Sequence, residues 1–187
     1  MLPDGKTGPT HGRKAERRHL GLRAVGETLF IVAAAFVLAL MIQAFVVKSY
    51  VIPTPSMVPT LMEGDRVMVN RFIFRFTEPK RGDVIVFQTD LNKDPLIKRV
   101  VGVGGDRIAV RDGRLYLNGE AQVEPELNDP VMLGEFKEVT VPPGEFFMMG
   151  DNRNESGDSR VFGPIKRNII LGRAFLRFWP LNRLHWL

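Results

Sequence analysis

Serine and lysine are the side chains best suited to chemistry in this sequence, because the usual partners of a hydrolytic site are scarce. None of the 187 residues is cysteine, which excludes a thiol nucleophile and a cysteine-ligated zinc. The three histidines are His11, His19 and His185, all near the two ends of the chain. A Ser-His-Asp triad or a His-x-x-x-His zinc pair therefore has no histidine in the body of the chain. We expect neither a metal nor a cofactor.

The proline-rich segment 49–61 carries the best candidate nucleophile. Three prolines in seven residues fix the backbone and remove amide donors, which argues against a helix or a central strand. The prediction is a rigid, extended loop that holds Thr54 and Ser56, a setting in which nucleophiles often lie. A proline-rich linker is the alternative interpretation. Linkers are usually polar, however, and this segment contains Val, Ile, Met and Leu.

Lys98 is the best candidate for a base that activates this serine. A serine hydroxyl is a weak nucleophile, and a neutral lysine can replace histidine when burial lowers its pKa. In a strand over Leu96–Val103, Lys98 and Arg99 point to opposite faces, so one basic side chain lies on the more buried side. Lysine is the one whose pKa burial can lower into a useful range. An edge strand whose lysine reaches water is the alternative.

A third polar segment, 150–164, follows the apolar run Phe146–Met149. Asp158 and Arg160 could form an ion pair, and Ser156 could orient a buried amine. A network of fixed side chains beside a site and a solvated loop are both compatible with this composition.

The N-terminal third of the chain indicates a membrane anchor. Residues 1–28 hold six Lys or Arg against three Asp or Glu, within a net charge of +5 for the chain. Residues 29–47 are apolar except for Gln43, and a helix of this length spans about 28 Å. We predict a basic cytoplasmic tail at 1–28, a transmembrane helix at 29–48 and an outer domain at 49–187. A buried core helix and a removable signal peptide are the alternatives.

The remainder of the chain has the pattern of short strands separated by turns. The prediction is a mainly β fold, an antiparallel β catalytic core behind the N-terminal transmembrane helix. The strands and hairpins that we predict lie at Arg66–Phe74, Val84–Gln88, Leu96–Val103, Asp106–Arg111, Arg114–Leu117, Val139–Val141, Phe146–Met149 and Ala174–Phe178.

Taken together, these segments resemble the bacterial type I signal peptidases, the leader peptidases of the Ser/Lys peptidase family S26. The resemblance covers most of residues 29–180. Its motifs appear in the family's order, at Ser56-Met57 with Pro59-Thr60-Leu61, Gly64-Asp65-Arg66-Val67, Arg81-Gly82-Asp83-Val84, Lys98-Arg99-Val100-Val101-Gly102, and Gly150-Asp151-Asn152-Arg153 through Arg160.

The resemblance implies a role for each matching residue. Ser56 would be the nucleophile and Lys98 the general base, with Ser156 orienting the lysine amine. The oxyanion hole would be the Ser56 amide and the Thr54 hydroxyl, although Pro55 stands where many members have glycine. A structural role, supporting the site, is implied for Asp158 and Arg160.

The resemblance also implies partners, location and a domain insert. The substrates would be secretory preproteins whose signal peptides end in Ala-x-Ala-type motifs. The other partners would be the lipid bilayer and the Sec translocon, with no nucleic acid. The enzyme would lie in the cytoplasmic membrane as a single-pass protein, with its catalytic domain on the outer side. A small β-subdomain would be inserted at about 106–144.

Three other functions are alternatives to that of a signal peptidase. A self-cleaving Ser/Lys protein related to the repressor autoproteases would need a DNA-binding domain rather than an anchor. A tethered, inactive binding domain would have no reason to keep Ser56, Lys98, Thr54 and Ser156. A basic-tail nucleic-acid binder does not explain the apolar run. The C-terminal aromatics and arginines, 175–186, are compatible with either a membrane interface or ordinary core packing.

Overall fold

A computed structural model of the chain describes residues 25–41, 46–90, 93–124, 127 and 131–187. The chain divides into two compact units between residues 44 and 45. In the first unit, residues 25–41 form helix α1, whose apolar side chains are exposed, among them Leu29, Phe30 and Phe36. None of the helices in the described part of the chain meets the length and hydropathy expected of a membrane span.

The structure differs from the predicted transmembrane helix at its C-terminal end. Residues 42–45 of that prediction lie outside the described residues, and Val47 and Lys48 belong to strand β1, Val47–Val51. They pair antiparallel with Asn70 and Val69. The physical reason is that a mostly apolar run fits a helix and a strand equally well, while β-branched valine favours the strand.

The second unit contains two antiparallel sheets. In the larger sheet the order is β1-β2-β11-β3-β4-β9-β10, and β12 pairs with β11. Its further strands are β2 (Arg66–Asn70), β3 (Val84–Phe87), β4 (Leu96–Val103), β9 (Glu145–Met149), β10 (Ile165–Lys166), β11 (Ile170–Trp179) and β12 (His185–Trp186). The predicted mainly β, antiparallel fold is confirmed.

The smaller sheet lies between β4 and β9 in the sequence. Its order is β7-β6-β5-β8, and its strands are β5 (Arg107–Arg111), β6 (Arg114–Leu117), β7 (Glu120–Ala121) and β8 (Phe136–Thr140). Its buried residues Ile108, Val110 and Leu115 pack in one cluster with Val101 of β4 and Phe147 of β9. This core joins the smaller sheet to β4 and β9 of the larger one.

Short helical segments connect the strands. Helix α2 is Ser159–Phe162, and 3-10 turns lie at Pro55–Met57, Ile73–Arg75, Arg167–Ile169 and Leu181–Arg183. The predicted strand at Arg66–Phe74 is wrong beyond Asn70. The Asn70 side-chain oxygen accepts hydrogen bonds from the amides of Phe72 and Ile73 at 2.9 and 3.0 Å, which turns the chain out of the sheet.

Candidate active site

Ser56 lies in a short 3-10 turn that is fastened to the core of the larger sheet. The turn begins at Pro55, whose fixed φ suits it, and Thr54 before it is extended. The predicted extended loop is therefore wrong at Ser56. Ile52 and Met57, on either side, are fully buried in the core. The hydroxyl is consequently held in one place by the packing of its neighbours.

Lys98 approaches this hydroxyl from the middle of the larger sheet. Strand β4 pairs with β3 on one side and β9 on the other, so Lys98 cannot reach water along an edge. It is 3% exposed, and its Nζ lies 2.6 Å from Oγ of Ser56. The edge-strand alternative is thereby excluded. The two residues, 42 positions apart, meet in a cleft of about 260 Å³ that Pro53 and Leu96 also line.

Burial lowers the pKa of Lys98 from 10.5 to about 8, while the negative charges of Asp158 and Asp151 raise it in part. About a tenth of the amine is therefore unprotonated at pH 7, far more than for an exposed lysine. An amine in this state, at hydrogen-bond distance from a serine hydroxyl, can accept its proton.

The polar segment 150–160 is a network rather than a solvated loop. Asp158 is fully buried, forms an ion pair with Arg160 at 2.8 Å and caps helix α2 through the Arg160 amide. Oδ2, the oxygen of this ion pair, also accepts from the Gly150 amide at 3.1 Å. The Asn152 amide donates to the Ser56 carbonyl at 3.1 Å. These bonds tie the segment directly to the turn that carries Ser56.

The remaining two hydroxyls that the resemblance implies for the site belong to Thr54 and Ser156. The Thr54 hydroxyl is 3.3 Å from Oγ of Ser56, and either oxygen can donate. The Ser156 hydroxyl is buried, and it has no hydrogen-bond partner among the residues that the structure describes. A Cβ added at Gly150 would lie 2.3 Å from Oγ of Ser156 and 2.4 Å from the Ser56 carbonyl, so Ser156 is a close neighbour of the turn. The orienting role of Ser156 stays a prediction.

The sequence does not predict the ion pair that Arg99 forms with Asp151. The two side chains form two hydrogen bonds, at 2.7 and 2.8 Å, and Asp151 is buried. Arg99 follows Lys98 and Asp151 follows Gly150, so the pair connects β4 to the polar segment. The sequence signal for this contact is that two separate motifs carry opposite charges. This signal does not show which charged side chains pair.

Within the described ranges, no group of three or more His, Asp or Glu side chains is arranged to hold a metal ion.

Comparison with known proteins assigns the family. The family model for signal peptidase, peptidase S26, matches residues 25–179. The probable signal peptidase I-2 of Synechocystis is 39% identical over 86% of this chain and 74% of its own length. The signal peptidase IB of Staphylococcus aureus strain MRSA252 is 36% identical over 86% of this chain and 92% of its own. A crystal structure of a signal peptidase I from Enterococcus faecalis V583 aligns at 31% identity over 52% of this chain and 97% of that one, with a TM-score of 0.44.

The chain is thus a hydrolase of the peptidase class, and it belongs to family S26, the signal peptidases. It is a serine peptidase of the signal peptidase I type, whose reaction removes signal peptides from preproteins.

Proposed function

We propose that this chain is a membrane-bound endopeptidase that cuts preproteins with Ser56 as nucleophile and Lys98 as general base. The observation that carries the proposal is the 2.6 Å separation of Nζ and Oγ in a buried setting. A buried amine with a lowered pKa has no evident structural purpose in a sheet interior, where an apolar side chain would cost less free energy.

The chemistry follows from this geometry. The neutral Lys98 amine takes the Ser56 proton as Oγ attacks the scissile carbonyl, and the resulting ammonium then protonates the leaving amine. The Ser56 amide and the Thr54 hydroxyl are our candidates for the donors that stabilise the oxyanion, and one such donor typically contributes about 3 kcal/mol. A water activated by the same lysine then hydrolyses the acyl-enzyme.

Around this pair we assign supporting roles. Ser156 orients the lysine amine, and Asp158 with Arg160 keeps the polar segment in place. Support comes from the burial of Asp158 and from its bond to the Gly150 amide, which places a fixed negative charge beside the lysine. The smaller sheet, β5–β8, is the insert of the catalytic domain.

The location of the enzyme is also a proposal. The basic tail and the apolar run at 29–47 support a single-pass protein with its N-terminus in the cytoplasm and its catalytic domain outside. The substrates are then preproteins with small residues before the cleavage site, delivered by the Sec translocon to the bilayer surface. Shallow pockets select small residues because larger side chains clash.

Cleavage of a signal-bearing preprotein tests the chemistry. The detergent-solubilised wild type should cut after a small-x-small motif, and Ser56→Ala and Lys98→Ala should be inert while circular dichroism shows an unchanged fold. Near-normal activity of Lys98→Ala would mean that another group is the base. A wild type that cuts no preprotein would leave a tethered binding domain as the better interpretation.

Extraction of membranes tests the location. The full chain should stay with the bilayer in alkaline carbonate, whereas a chain that begins at Phe45 should be released. Retention of the shortened chain under the same conditions would contradict a single N-terminal anchor.

A further inference from the structure

We propose that Glu124 is a positioning residue for the reaction, and that it acts through Arg153 from the loop that follows the smaller sheet's strand β7. The inference rests on the proposed Ser56–Lys98 chemistry and extends it to a residue that none of the signature motifs contains. Glu124 follows β7 by three residues, and Arg153 belongs to the polar segment 150–160.

Arg153 is the first link. Its side chain is 0% exposed, which is rare for arginine and is tolerated only when the guanidinium is paired. Both of its terminal nitrogens bind the Glu124 carboxylate, one of them at 2.6 Å. This two-point contact fixes the plane of the guanidinium as well as its position.

Gly150 is the second link. Nε of Arg153 donates to the Gly150 carbonyl at 3.1 Å, so the guanidinium that Glu124 orients also holds the backbone of Gly150. The amide of the same glycine donates to Asp158. Gly150 is therefore held at both its carbonyl and its amide, and one of these bonds depends on Glu124.

The position of Gly150 matters because it packs against the nucleophile's own backbone. A Cβ at Gly150 would meet the Ser56 carbonyl at 2.4 Å, which means that the glycine backbone is already in close contact with it. A shift of Gly150 toward these atoms by a few tenths of an ångström would displace the Ser56 carbonyl or the Ser156 hydroxyl. Either change alters the approach of Oγ to its base.

The Glu124 carboxylate is bound by Arg153 and lies outside the cleft that holds Ser56. Glu124 does not line the cleft at Ser56, whose walls are formed by segments 53–56 and 93–98. Loss of its charge should therefore lower kcat and leave KM nearly unchanged. A displacement of about 1 Å can cost up to about 100-fold in rate, and we expect a loss of roughly 10-fold for Glu124→Gln.

The experiment measures kcat and KM on a signal-bearing preprotein, with the full chain in detergent. The variants are Glu124→Gln, Glu124→Asp and the control Glu120→Gln, which changes an exposed carboxylate on β7 of the same sheet. We expect Glu124→Gln to lose kcat alone, Glu124→Asp to regain part of it, and Glu120→Gln to match the wild type.

A double variant separates positioning from stability. Glu124→Gln leaves the Arg153 guanidinium buried without its counter-charge, which destabilises the fold. Adding Arg153→Met removes this buried charge, but it also removes the hydrogen bond to the Gly150 carbonyl. Positioning requires that Glu124→Gln/Arg153→Met recover the melting temperature while kcat stays low. Recovery of kcat together with stability in the double variant would overturn the proposal, as would a folded Glu124→Gln with wild-type kcat. If Glu124→Gln does not fold, the kcat of the double variant alone decides between these outcomes.

Failure of the underlying function gives a different result. A wild type without preprotein cleavage, or an active Ser56→Ala, refutes the Ser56–Lys98 chemistry irrespective of Glu124. An active wild type with inert Ser56→Ala and unaffected Glu124→Gln refutes only the positioning role.

Discussion

At the scale of single residues, the site depends on a conflict between charge and burial at Lys98. The sheet interior opposes the ammonium, and two buried carboxylates nearby favour it. The balance leaves the pKa at about 8, where neither form is strongly excluded. A general base is most useful when its pKa is close to the working pH, and the surrounding carboxylates therefore tune the enzyme as well as support it.

The pH dependence of kcat/KM should report this balance. With Lys98 as the proposed base, activity requires its neutral form, so kcat/KM should rise with pH through a midpoint near 8. Asp158 raises the pKa of Lys98, so Asp158→Asn should move the midpoint to lower pH, even though it also lowers kcat by disturbing the loop. Asp151→Asn should give a smaller shift in the same direction.

An exposed carboxylate provides the control for this prediction. Asp112, in the turn between β5 and β6, is not among the groups that act on Lys98, so Asp112→Asn should leave the midpoint in place. A midpoint that stays unchanged or rises in Asp158→Asn would contradict the electrostatic assignment.

Lys98 should also reduce the stability of the fold, with a pH dependence of definite sign. Its pKa is lower in the folded than in the unfolded chain, so the unfolded chain binds more protons between pH 8 and 10.5. Stability therefore rises with pH across that window, and the full penalty, up to about 3 kcal/mol, applies below it.

Lys98→Met removes the penalty and should raise the free energy of unfolding at about pH 7, with a smaller gain at about pH 9.5. Urea denaturation, monitored by tryptophan fluorescence, measures the free energy of unfolding of the second unit, because both tryptophans, Trp179 and Trp186, lie in that unit. The Lys48→Met variant serves as an exposed control. A loss of stability in Lys98→Met at the lower pH would contradict the assignment.

At the scale of elements, the sequence predicted the strands better than the contacts between them. Alternation and turn residues were sufficient for β4 and β9, and the choice between Lys98 and Arg99 followed from which pKa can be lowered. The strand prediction is wrong after Asn70, where a side-chain bond to the backbone ends the strand without a glycine or proline to mark it. The contact of Glu124 with Arg153 spans 29 positions and carries no local pattern, so no periodicity could reveal it.

The polar segment allows a matched test of its packing. Gly150→Ala places a methyl group 2.3 to 2.5 Å from Ser156 and the Ser56 carbonyl, distances that real Cβ atoms do not tolerate. Because one of these neighbours is backbone, the turn that carries Ser56 must shift, and kcat should fall by roughly 100-fold.

Gly157→Ala is the control, since nothing lies within 4 Å of the added Cβ in the same segment. It should keep wild-type kcat on the preprotein substrate. Equal activity of the two alanine variants would show that the close approach of Gly150 has no catalytic consequence.

At the scale of the whole molecule, the predicted anchor and the start of strand β1 share one apolar run that the sequence does not divide. Hydropathy places the end of the anchor at residue 48, whereas the hydrogen bonds of the sheet begin at Val46, whose carbonyl accepts from the Arg71 amide at 2.9 Å. The boundary of a domain is set by backbone pairing, and hydropathy contains no information about pairing partners.

This difference has a measurable consequence for where the catalytic unit can be cut. A chain of residues 49–187 lacks Val47 and Lys48, which pair with Asn70 and Val69, while a chain of residues 45–187 keeps both. Each lost hydrogen bond costs about 1 kcal/mol, and β1 is an edge strand with no second neighbour to compensate. Residues 49–187 should therefore melt several degrees below residues 45–187 and lose part of their activity, because β1 leads directly to the turn that carries Ser56.

Thermal denaturation monitored by circular dichroism gives the melting temperatures of the two chains and tests this prediction. Equal melting temperatures would mean that the apolar run belongs to the anchor through residue 48.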